Sequence, residues 1–327
     1  MKNKIALIYN TCGLRNENAD LYIQSIESFL NQNFEEYRVV LSSCCNSVEC
    51  FNKVYKHFKD KISYCYHHEP HTVNITFNKT VQLYVENFGP AESYLYIDSG
   101  CSFTTPDHKT EVQINILREI YECYLRNNKS LIYTQTNTDS ALNYISKKYK
   151  NYSNSVQIKE EDLRIPLGIG INLHCCLFSH DFFIEYDSKL IPDVFSAYCT
   201  ESVFVYLAAA IFKKWYVMKD YVISHIVSAD GPSSGFNRIS NKTGNTWNNL
   251  LYERDINDLL QDNDAVQSGL GYEELQGILP YNSSIYNSDS LPINKQYAYN
   301  MKKYIKKYFY LKKEELNYEK INCTFRK

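Results

Sequence analysis

Two rhythms alternate along the first third of the chain. Compact apolar runs at residues 5–9, 37–42, 62–66 and 94–97 have the length and the β-branched or aromatic content of buried strands. Between them apolar residues recur near helical spacing: Leu21, Ile23, Ile26, Phe29 and Leu30 behind a capping Asp20, then residues 48–58, then residues 77–87. This alternation of strand and helix predicts a mostly parallel sheet with crossover helices. In open α/β sheets ligands bind beyond the carboxyl ends of the strands, so that edge is where chemistry is expected.

Further along, the pattern predicts a helix over 110–126 and a strand over 130–133, then a polar stretch rich in Asn, Lys and Ser between 137 and 162 that reads as an exposed insertion. From Ile165 the chain turns apolar through Leu167-Gly168-Ile169-Gly170-Ile171 and Cys175-Cys176-Leu177-Phe178. A helix over 202–215 and a short strand over 221–225 come next. Residues 237–300 are polar with weak periodicity, and 299–314 carry a basic, Tyr-rich helical pattern. The expected organisation is an α/β domain over 1–236 and a smaller helical extension over 237–327.

Composition narrows the function. The 327 residues are 44% hydrophobic and 22% charged, enough for a sizeable core in an ordinary globular chain. A net charge of −2 supplies no field to recruit nucleic acid, and no basic and aromatic residues interleave as a single-strand groove requires. The 11 cysteines are an odd number, with adjacent pairs Cys44-Cys45 and Cys175-Cys176 but no paired spacing that marks a zinc site, so reduced thiols are expected. No signal-peptide pattern precedes the first strand and no apolar stretch nears about 18 residues, so a cytoplasmic location is expected. The 30 Tyr suit core edges and sugar-stacking clefts, but they spread over the whole chain, and a compositional bias is the simpler account.

Three places offer chemistry. Asp98 closes the fourth apolar run and precedes Ser99-Gly100, so its carboxylate is expected on a tight turn at the mouth of the sheet. There it either closes an Asx turn or binds Mn²⁺ or Mg²⁺, hard cations that take one or two carboxylates together with substrate phosphates. Glu201 stands at the start of the helix over 202–215, where it either complements the helix dipole or serves as a general base; Asp193 in the preceding loop could take the same role. His225 ends the strand over 221–225 and is either a polar residue with a partner or a ligand completing a metal site begun by a carboxylate.

In chain order these places resemble family 2-like glycosyltransferases of the GT-A fold, over residues 4–228. Tyr9-Asn10-Thr11-Cys12-Gly13-Leu14-Arg15 match the loop after the first strand that binds the nucleotide base. Thr76-Phe77-Asn78-Lys79-Thr80 looks like the family's Arg-Asn-x-Gly element, and Asp98-Ser99-Gly100 takes the place of its Asp-x-Asp. Gly168-Ile169-Gly170 with Asn172 resembles the acceptor-side strand, and His225 matches the histidine that closes the metal site in many of these enzymes. The sequence departs twice: Gly100 replaces the second acid, and Glu201-Ser202 stands where the family has Glu-Asp.

The resemblance implies a nucleotide diphosphate sugar donor held by Tyr9, Asn10, Thr11, Arg15, Asn78, Asp98, Ser99 and Gly100. It further implies a divalent metal on Asp98 and His225, a base at Glu201 or Asp193, and inversion at the anomeric carbon. The acceptor class it implies is a glycan or lipid-linked molecule. The basic aromatic segment over 301–313 then either rests on an anionic membrane surface or packs its aromatic face on the domain. Two alternatives remain: a nucleotide- or glycan-binding protein that lost chemistry with the second acid, and a sugar-phosphate nucleotidyltransferase. Residues 10–15, with one Gly and one Arg, lack the Gly-rich basic loop that the second requires.

Overall fold

The computed structural model describes residues 3–12, 19–44, 48–68, 73–105, 111–136, 154–157, 175–181, 215–225 and 322–327. The first part of the chain folds as its rhythm predicts. Strands β1 (Ile5–Cys12), β2 (Tyr37–Cys44), β3 (Ser63–His67) and β4 (Ser93–Asp98) are joined by helices α1 (Ala19–Leu30), α2 (Val48–Phe58) and α3 (Val73–Phe88). They lie in the order β3-β2-β1-β4, all parallel. The chain then adds β5 (Cys101–Ser102), α4 (Ile116–Arg126), β6 (Leu131–Thr136), β7 (Ser155–Gln157), β8 (Cys175–Ser179), β9 (Trp215–His225) and β10 (Cys323–Arg326).

Among the described residues the sheet continues from β4 through β8, β6 and β9 to β5, with β8 antiparallel between β4 and β6, and β6 parallel to β9. β10 closes the opposite edge, antiparallel to β3. β1 is central and fully buried from Ile5 to Tyr9, as continuous apolar character on a strand covered on both faces demands. Ile5, Leu7 and Tyr9 belong to a core shared with α1, α2 and α4. Aromatic edges fill it: Tyr9 meets Phe29 at 5.1 Å, and Phe29 meets Phe103 at 4.9 Å. On the α3 side, Phe77 packs edge-on against Tyr96 at 5.1 Å and Tyr84 against Tyr94 at 6.1 Å.

Some boundaries differ from those the pattern predicts, each for a local reason. α3 begins at Val73, so the segment 76–80 lies inside the helix rather than ahead of it. α4 begins at Ile116 rather than 110, because Thr104 bridges Val112 and the Gln113 N–H donates to the Phe103 carbonyl, holding residues 111–113 extended. Trp215 opens β9 instead of ending a helix; residues 202–214 lie outside the described residues. The basic segment over 301–313 lies outside them as well. No helix among the described residues is long and apolar enough to cross a membrane.

β10 is fastened by several contacts. His68 Nε2 lies 2.7 Å from Thr324 Oγ1, the His68 N–H donates to the Asn322 carbonyl at 3.0 Å, and Phe325 reaches the Phe88 ring at 6.0 Å. Cys323 lies beside Cys65: their hydrogen bond draws the Cys323 thiol below its ordinary value, whereas burial pushes the Cys65 thiol up.

Leu7 touches water nowhere and sits in the central strand. Leu7→Ala is expected to cost about 3 kcal/mol in urea unfolding. Val48→Ala, at a site 60% exposed, is expected to stay within about 0.5 kcal/mol of wild type. Equal losses for the two would contradict this placement of the core.

Candidate functional site

Three strand ends meet at the carboxyl edge of the parallel ladders. Register sets Asn10 of β1 opposite both Ser42 of β2 and Asp98 of β4, so the three share the face that α3 covers. α3 packs polar side chains onto that face. Thr76 Oγ1 donates to Asn10 Oδ1 at 3.2 Å and Thr80 Oγ1 lies 2.8 Å from Ser42 Oγ; Asn78, between them in α3, is also buried. Thr11 is buried, its hydroxyl donating to the Ser42 carbonyl at 3.0 Å. Asp98 lies at the end of this row and is half-buried.

The turn after Asp98 is tightly specified. The Ser99 N–H donates to Asp98 Oδ1 at 2.9 Å, which fixes the carboxylate over the turn; an Asx turn would take its bond from Gly100, whose N–H goes to Tyr9 instead. Gly100 adopts φ of +84°, a left-handed conformation that glycine takes without the clash a Cβ creates. Its N–H donates to Tyr9 Oη at 3.3 Å. Tyr9 is fully buried, and that burial pushes its phenol well above the ordinary value, so it remains a neutral prop under the turn. Its side chain therefore faces the core, and its link to the site runs through Gly100.

The turn delivers the chain into β5, which pairs with the far end of β9. Cys101 stands opposite His225 and Ser102 opposite Ser224. β9 reaches that position through an irregularity: its pairing with β6 steps from Met218 to Val222 while β6 advances from Thr134 to Gln135. Bulges of this kind bend a strand and re-aim the residues beyond them. Here the bend carries His225, half-exposed, to the start of β5, three positions beyond Asp98. Asp98 on the turn and His225 on the strand that pairs just beyond it are both of ligand types that divalent cations accept.

Of the residues the sequence singles out, Tyr9, Asn10, Thr11, Asn78, Asp98, Ser99, Gly100 and His225 gather around this edge. Arg15, Asp193 and Glu201 lie outside the described residues, as do residues 168–172. Thr76 and Thr80, inside the segment that resembles the Arg-Asn-x-Gly element, hold α3 against the strand ends together with Ser42, which no motif marks. A second concavity of about 280 Å³ lies along β3 and β10, lined by Phe51, Tyr64, Tyr66, His68 and Arg326.

No protein-family model matches the chain, and no curated protein sequence does either. Similarity appears in three dimensions. The fold superposes on S. aureus TarS 1–349 in complex with UDP-GlcNAc with a TM-score of 0.50 and 12% identity, covering 95% of this chain and 90% of that one. It superposes on the mannosyltransferase PcManGT from Pyrobaculum calidifontis, in complex with GDP-Man and Mn²⁺, with a TM-score of 0.51 and 8% identity, covering 95% of this chain and 71% of that one. Against the longer TarS structure the chain spans 49% of the other's length, at a TM-score of 0.48. The architecture is the GT-A fold.

Because Gly100 and Tyr9 act on one turn, Gly100→Ala is expected to cost about 1–2 kcal/mol through its positive φ. Tyr9→Phe is expected to cost about 1 kcal/mol through the lost acceptor. The double variant should lose less than the sum in thermal unfolding. Strict additivity would show that the two do not share the turn.

Proposed function

We propose that this protein is a metal-assisted glycosyltransferase that moves a hexose from a nucleotide diphosphate sugar to a glycan or lipid-linked acceptor, as polysaccharide assembly requires. The observation that carries this reading is the bend in β9 that sets His225 against the chain leaving the Asp98 turn, at the carboxyl edge of a GT-A sheet. Two solved structures of the same fold hold UDP-GlcNAc, or GDP-Man with Mn²⁺, which supports a donor of that class.

In this reading Asp98 and His225 hold Mn²⁺ or Mg²⁺, with His225 serving where Gly100 leaves no second acid. When bound, the cation stabilises negative charge on the departing diphosphate. The chain's own contribution is preorganisation: the Ser99 N–H orients the Asp98 carboxylate, Tyr9 pins Gly100, and the Thr76–Asn10 and Thr11–Ser42 bonds fix the end of β1 beside it. Glu201, with Asp193 as the alternative, removes the acceptor's proton in a direct displacement that inverts the anomeric centre. One observation favours a second reading, binding without transfer: the +84° φ at Gly100 belongs to a turn built around glycine, where the second carboxylate of an Asp-x-Asp pair would stand.

The test is thermal unfolding against a panel of nucleotide diphosphates and nucleotide sugars with and without Mn²⁺. One nucleotide at about 100 Kd is expected to stabilise the wild type by about 2.7 kcal/mol, in a metal-dependent way. Asp98→Ala should abolish the shift and His225→Ala should weaken its metal dependence. Donor hydrolysis or transfer by the wild type, lost in Glu201→Gln with binding retained, separates the enzyme from the binding protein. No shift with any nucleotide sinks the donor site and leaves a glycan-binding protein of the same fold.

A further inference from the structure

We infer that Cys65, His67 and Cys323 form a second metal site, for a thiophilic divalent cation of the zinc type, which clips β10 to the edge of the sheet. Cys65 and His67 stand two apart on β3 and share a face, and register sets Cys323 of β10 opposite His67. The Cys65 Sγ, one ring nitrogen of His67 and the Cys323 Sγ all lie within 4.8 Å of one another. Cys65 Sγ and His67 Nε2 are 3.4 Å apart. A tetrahedral zinc site with metal–sulfur and metal–nitrogen bonds of ordinary length separates two such ligands by about 3.6 Å, so this edge of the polyhedron is already formed.

The surroundings fit a cation held by two thiolates. Cys65 and His67 are buried and Cys323 is half-buried, which leaves the Cys323 side for a water as fourth ligand. Thr80 Oγ1 lies 3.2 Å from His67 Nε2, so α3 packs against the cluster, and a bound cation would take that nitrogen's lone pair in place of this contact. The charged groups of α3 that act on Cys323 are Lys79 and Glu86, one of each sign, so the two thiolates supply the charge that a divalent ion needs. Two thiolates beside an imidazole select zinc-like ions over magnesium, which takes oxygen.

Register argues against the other chemistry open to two neighbouring cysteines. Cys65 pairs with Phe325, and Cys323 with His67, so the cysteines are diagonal neighbours, about 7–8 Å apart at Cα. That exceeds the span a disulfide bridges without backbone movement. A metal reaches both and recruits the histidine between them. It would also close a long loop, since the neighbouring His68–Thr324 contact joins residues 256 apart in sequence, and clips across long loops restrict the unfolded chain most.

The experiment uses the full chain, reduced with a phosphine and stripped with a chelator. Titration with Co²⁺ is expected to give one equivalent of tetrahedral visible bands together with a sulfur-to-metal charge-transfer band, and Zn²⁺ should displace both. In Cys323→Ser the charge-transfer band should be at least halved, while His225→Ala should leave it intact. Without any variant, Zn²⁺ at about 10 Kd should slow iodoacetamide labelling of Cys323 about tenfold, read by peptide mass. Absence of a charge-transfer band, a band unchanged in Cys323→Ser, or labelling indifferent to Zn²⁺ would overturn the site. So would a Cys65–Cys323 disulfide that forms in air while the reduced protein takes up no metal.

Discussion

The site depends on the double ladder around β1. A strand buried on both faces and paired on both edges cannot shift without breaking two sets of hydrogen bonds, and a slip of one residue would turn every side chain to the other face. Asn10, Ser42 and Asp98 therefore share one face and one level because Ile5 to Tyr9 are held so firmly behind them. The same strand supports the Asp98 turn from the opposite face, since Tyr9, one position before Asn10, points into the α1 side and accepts from Gly100. One strand thus sets the polar row and props the loop at its end.

The other half of the site comes from a strand that must bend. Straight continuation of β9 beside β6 would carry His225 along the sheet, away from β5. The step from Met218 to Val222 against one residue of β6 releases that constraint, and the chain leaves the first ladder to pair with Cys101 and Ser102. Gly100 plays the matching part on the other side, because a turn with φ of +84° brings β5 back within reach of β9. The loss of a second acid and the arrival of a histidine are then two aspects of one backbone path.

This division explains what could be read from the sequence. The parallel half was legible because each of its strands is a continuous apolar run and each crossover helix has its own period, as with Val48–Phe58, where predicted and observed bounds coincide. Asp98 was legible as the polar residue that ends such a run. The residue opposite His225 was not, since Cys101 becomes its partner only through the register shift at Met218. β10 was invisible for a related reason: Cys323–Arg326 alternates half-buried and exposed residues and has no apolar run, and its pairing with β3 is purely long-range. A search for paired cysteine spacing finds no metal site for the same reason, because the ligands stand on strands far apart in sequence.

α3 connects these parts. Its first turns place Thr76 over the strand end that leads to Asp98, while Thr80, one turn beyond, reaches both Ser42 and His67. The Thr80 hydroxyl also donates to the Thr76 carbonyl at 2.7 Å, so one side chain ties the helix backbone to β2 and to β3 at once. A cation on Cys65, His67 and Cys323 would take the Nε2 lone pair in place of the Thr80 hydrogen bond and fix the His67 ring where it packs against the helix whose preceding turn touches Asn10. That chain of contacts is short and buried throughout, and packed interiors transmit displacement rather than absorb it. The edge strand and the polar row are therefore supports of one helix, and loosening β10 would be felt at the Asp98 end of the sheet through the position of α3.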